Sequence, residues 1–138
     1  MNAVDILKYG HLTLQQAINS FPQAALEQEG ACGVWSVKDI VAHLASYELV
    51  LVDILSSFSG NTPTPALDKF VAMGNQFNDA EVNRRKERTI TEVLEELNAA
   101  HVLSMSLVAA IPEETRRQTG TLPWYGMDYA LDDVIVYM

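Results

Sequence analysis

The chain has 138 residues, a formal net charge of −9 and 49% apolar residues, which suits one folded domain with a hydrophobic core. The acidic balance argues against nucleic acid, because phosphate binding needs clustered Lys and Arg. Cys32 is the only cysteine, so no internal disulfide is expected and a reducing cytoplasm fits.

Met1 to Leu14 is amphipathic and carries Asp5 and Lys8, so it does not read as a signal peptide. Val4, Leu7, Leu14, Ile18 and Phe21 keep helical spacing, with His11 and Leu12 near the seam. Asn2 is the expected N-cap and Pro22 the end of this helix. Gln23 to Val34 reads as a connector punctuated by Gly30 and Gly33.

The second helix opens at Ser36, with Asp39 completing a capping box. Its buried stripe is expected to be Val37, Ile40, Val41, Leu44, Tyr47 or Glu48, Leu51, Leu55 and Phe58, with a stop at Gly60. Asn61 to Pro65 reads as a loop. Asp68 to Arg88 is a weaker helical region, interrupted around Gly74 and Asn75. Its basic run, Arg84, Arg85 and Lys86 with Arg88 just after, is flanked by Glu81 and Glu87 and reads as a solvated helix face.

Thr89 and Glu92 form a second capping box, opening a third long helix closed by Pro112. Glu113 to Gly126 reads as another connector. A fourth helix is expected from near Asp128 or Tyr129, with Asp132 and Asp133 serving its dipole. It is short beside the second and third, so the rest of it is expected beyond Met138 or from a second chain. No apolar run predicts a membrane span.

Three stretches carry a resemblance. The first is Gly33-Val34-Trp35-Ser36-Val37-Lys38-Asp39-Ile40-Val41-Ala42-His43-Leu44, followed by Tyr47-Glu48. The second is Phe77-Asn78 with Asn83-Arg84-Arg85. The third is Thr89 to Ile111 followed by Pro112. Together they resemble the DinB/YfiT-like superfamily, nearest its DfsB-type and maleylpyruvate-isomerase-like N-terminal domains.

That resemblance implies an all-α, up-down-down-up four-helix bundle with one long crossover, commonly dimeric. It also implies a mononuclear nickel or zinc site built from three histidines. The implied chemistry is thiol-dependent transfer or isomerisation, or hydrolysis of a reactive small molecule, with a low-molecular-weight thiol as co-substrate. His43 matches one ligand position. The other two are expected as a His pair on the last helix, and none occurs up to Met138.

Read from the residues alone, His43 lies at the edge of the second helix's apolar stripe. There it serves either as a ligand or as a half-buried histidine bonded to a neighbour. His11, His43 and His101 sit on three different helices, a weaker candidate ligand set. Glu48, one turn beyond His43, is the candidate acid or base, against a boundary carboxylate paired with a basic side chain. Tyr47, Trp124 and Tyr125 are candidates for a pocket mouth; Trp35 and Trp124 also read as packing anchors. Cys32 has Glu27 and Glu29 nearby, which disfavour a thiolate, and is treated as incidental. The rival reading is a non-catalytic module that binds a small ligand or dimerises, without metal. Apolar residues all round the second helix (Leu49, Val50, Val52) point to a second covered surface and a homodimer.

Overall fold

The computed structural model describes residues 2–30 and 33–137; Cys32 and Met138 lie outside them. Seven α-helices occur among the described residues: α1 (Ala3–Asn19), α2 (Val37–Ser56), α3 (Pro65–Met73), α4 (Phe77–Arg84), α5 (Ile90–Ala110), α6 (Glu113–Arg117) and α7 (Leu131–Tyr137). No strand occurs among these residues; Thr119 and Ala130 form one isolated antiparallel bridge.

The helix starts follow local chemistry. The Asn2 side chain accepts from the Asp5 backbone N–H at 2.9 Å. Ser36 and Asp39 form a reciprocal capping box, as do Thr89 and Glu92, each satisfying two orphan donors. Gly60, at φ 141°, ends the 3-10 turn after α2.

Three boundaries differ from the sequence reading. Pro65 belongs to a helix rather than a loop, because it sits at the first helical position, where a missing N–H costs nothing. Asp53 of α2 takes over the capping role there, accepting from Ala66 and Leu67 N–H at 2.7 and 3.1 Å. The connector after Pro112 contains the one-turn helix α6. Finally, α7 starts at Leu131, not at Asp128 or Tyr129. The Asp133 carboxylate accepts from Ala130 N–H at 2.7 Å and fixes the start there. Asp132 serves an ion pair with Arg116 instead, at 2.7 Å.

The core has two apolar clusters, and α2 runs through both. One joins the second half of α2 (Val50, Leu51, Ile54, Leu55) to Leu67, Phe77, Val108 and α7. The other joins Val41, Ala42 and Ala45 to Ile18, Leu26 and the start of α5. Of the stripe expected on α2, Val41, Leu51 and Leu55 are buried, while Val37, Ile40, Leu44, Tyr47, Glu48 and Phe58 are half-buried. Ala42, Ala45, Val50 and Ile54 are buried in their place. The reason is that α2 packs on α5 along one side and on α3 and α4 along another. Val50 is covered by the chain's own Leu67 and Phe77, while Leu49 and Val52 are half-buried.

By length and composition alone, α2 with its 3-10 extension and α5 could each cross a membrane, unlike the sequence expectation. Here they pack against each other.

The basic run is a solvated face only in part: Arg84 and Lys86 are exposed, but Arg85 is not. The Arg85 side chain is 0% exposed, with Glu81 and Glu96 each 2.6 Å away. Arg84 pairs with Glu81, Arg88 with Glu96, and Lys86 with Asp39. Lys38 donates to the backbone oxygens of Lys86 and Arg88, both at 3.1 Å. These ties fix the α4–α5 turn against α2 and so set where α5 lies across the bundle.

Candidate functional site

Side chains of α1, α2, α5 and α7 line a half-open cavity of about 300 Å³. Leu7, Leu14, Leu44, Leu51, Leu97 and Ile135 make most of its wall, drawn from the borders of both core clusters. Its polar lining is His11, Tyr47, Glu48 and His101, and no Lys or Arg lines it.

Helical spacing places Glu48 on the side of α2 that meets α5. Its Oε1 lies 3.3 Å from His101 Nδ1, with both side chains largely buried at 15% and 12% exposure. A carboxylate only accepts, so this hydrogen bond needs the proton on Nδ1. His11 stacks on His101 with ring centroids 3.8 Å apart and planes 11° from parallel. Burial holds the His11 pKa below its ordinary 6.5, and the nearby His101 lowers it further, against opposing effects of Glu48 and Asn98. The second ring in the stack is thus kept neutral near pH 7.

Gly10 is exposed and also lines this cavity. A Cβ added there would meet no atom within 4 Å, so no packing contact requires glycine. In the interior of α1 it costs about 1 kcal/mol of helix stability relative to Ala.

His43 is elsewhere. Its ring packs 5.5 Å from Trp35 and 4.3 Å from Tyr47. Its Nδ1 is buried without a hydrogen-bond partner, and burial lowers its pKa from the ordinary 6.5. Tyr47 continues this aromatic series to Phe70 and Phe77, and Phe70 meets Trp124, which meets Tyr125. Of the three candidate pocket residues, Tyr47 lines the cavity, whereas Trp124 and Tyr125 belong to the aromatic series.

The orphaned His43 nitrogen is the one feature here that a metal would satisfy, but a metal needs three convergent protein ligands. No group of three His, Cys, Asp or Glu able to hold a metal occurs among the described residues. His11, His43 and His101 do not converge as a set. His11 and His101 do meet with Glu48, but near-parallel stacked rings aim their lone pairs side by side rather than at one point. Among the described residues the donor set therefore does not fit a metal.

Sequence reasoning allowed Glu48 to be a boundary carboxylate paired with a basic side chain, but did not identify His101 as the partner. It also passed over Gly10, whose signal was a glycine inside a helical repeat.

A family model described as the DinB superfamily matches residues 10–138. No curated protein and no solved structure matches the chain.

Proposed function

The chain belongs to the DinB superfamily, and we propose that it is a ligand-binding member that holds a small, largely apolar molecule between α1, α2, α5 and α7. The observation that carries this reading is the cavity itself: apolar walls, a few convergent polar groups, and a helix glycine lining it without a packing need. Its volume is about twice that of a cavity known to accept benzene, roughly 150 Å³. In this reading α1, α2, α5 and α7 are the four bundle helices in up-down-down-up order, and α3 with α4 forms the crossover.

The metal-dependent reading, with thiol-linked transfer as in DfsB-type relatives, has less support. His43 would be its single ligand, and the described residues bring no partner to it. A catalytic role for Glu48 would need a reacting group beside the Glu48–His101 pair, and the lining supplies no Ser, Thr, Cys or Lys.

The test is an amide NMR titration with 1-hexanol. Shifts should concentrate at Leu7, Leu44, Glu48 and Leu97. They should vanish in Gly10→Leu, whose side chain would occupy part of the space. Uniform or absent shifts in the wild type would end the ligand-binding reading.

A further inference from the structure

We infer that the ligand of this cavity is a small organic cation, an alkyl- or arylammonium whose charged head meets Glu48 while its apolar body lies against Leu7, Leu44 and Leu97. The inference rests on the ligand-binding reading above and names its ligand class.

Three observations converge on it. Glu48 is the one acidic side chain lining the cavity, and no Lys or Arg lines it. An anionic ligand would therefore face a carboxylate with no fixed cation to offset it. Glu48 has one hydrogen-bond partner among the described residues, His101 on Oε1. A carboxylate offers about four lone-pair sites, so capacity remains for an ammonium donor without breaking that bond.

The histidines pair and stack beside that carboxylate. His101 donates its Nδ1–H to Glu48. His11, half-buried, is stacked on His101. Stacking at 3.8 Å opposes charge on both rings together, so the pair cannot supply two cations to an anion. The lining thus presents a carboxylate inside a mainly apolar wall. That is the complement of a donor-bearing, positively charged head on a hydrocarbon body.

Three probes of the same length separate the outcomes: hexylammonium, 1-hexanol and hexanoate, each titrated at neutral pH and physiological salt by amide NMR. Hexylammonium should bind about ten-fold or more tightly than hexanol, the gain typical of a charge-assisted hydrogen bond, and hexanoate should bind weakest. Glu48→Gln, nearly the same shape, should remove the preference, so that hexylammonium binds that variant no more tightly than hexanol binds it. Glu95→Gln removes an exposed charge on α5 and should change neither. Should Glu48→Gln lose its native amide spectrum, Glu48→Met serves the same comparison.

Equal binding of hexylammonium and hexanol would overturn the cation inference and leave the cavity reading standing. Tightest binding of hexanoate would overturn it in the same way. An equal effect of Glu95→Gln would trace the preference to overall acidity and overturn it too. Binding of none of the three would overturn both.

Discussion

Arg85 is a guanidinium without solvent contact, clamped by Glu81 from its own helix and Glu96 from α5. Removing one partner from such a cluster strands the others, a cost of about 3–5 kcal/mol. Arg85→Ala should therefore move the urea midpoint far down, while the exposed change Glu95→Gln should leave it nearly in place. Burial alone would push the Glu81 carboxyl up, yet hydrogen bonds from Lys69, Arg85 and Arg84 hold its pKa at about 2. Its contribution is present above its ordinary 4.5 and is lost as pH falls toward 2, amounting to no more than roughly 3 kcal/mol, since Lys69 and Arg84 are partly solvated.

The histidines act in a different window. His11 and His43 both have lowered pKa values, so the fold favours their neutral rings. Their contribution is complete above 6.5 and declines as pH falls below it, because the unfolded chain takes up protons first. Chemical denaturation at a series of pH values should show stability falling from pH 7 toward 5, then again below 4.5. His43→Phe should flatten the upper step, since a phenyl ring suits the slot between Trp35 and Tyr47 and leaves no orphaned nitrogen. An unchanged upper step would assign it to other groups.

At the scale of the element, stability sits in the ends of helices. Ser36 is buried at the start of α2 and its side chain accepts from Asp39 N–H at 3.1 Å. Ser36→Ala should cost about 1 kcal/mol. Gly10→Ala should do the reverse and stabilise by about 0.5–1 kcal/mol, because α1 gains propensity and the new methyl meets nothing. Gly126 offers no such freedom: its φ is 151° and an added Cβ would come within 2.7 Å of the Tyr129 ring. Gly126→Ala should be strongly destabilising and should disturb the turn that leads into α7. Thermal unfolding of the three variants checks all three signs.

At the scale of the whole molecule, a half-open cavity lies at the borders of the two core clusters. A ligand that enters should raise the melting temperature in proportion to the logarithm of its concentration above Kd. Gly10→Leu should show the higher melting temperature without ligand and no further rise with it. If hexylammonium raised the melting temperature of both proteins alike, the stabilisation would come from the surface.

The helical class, the capping boxes at Ser36 and Thr89, the break at Gly74 and the superfamily were all legible in the chain, because each depends on neighbours within a few residues. The same holds for the absence of a histidine pair before Met138. The fate of the basic run was not legible. Whether Arg85 is solvated or buried depends on Glu96, which lies on another helix and meets it only after the α4–α5 turn closes. The same is true of α2, whose Val50 is covered by Leu67 of α3 and Phe77 of α4. Likewise Glu48, His11 and His101 come from three helices, and their meeting is a matter of how those helices pack. Periodicity fixes which face of a helix is apolar, but only packing decides which faces meet, and the cavity exists only where they do.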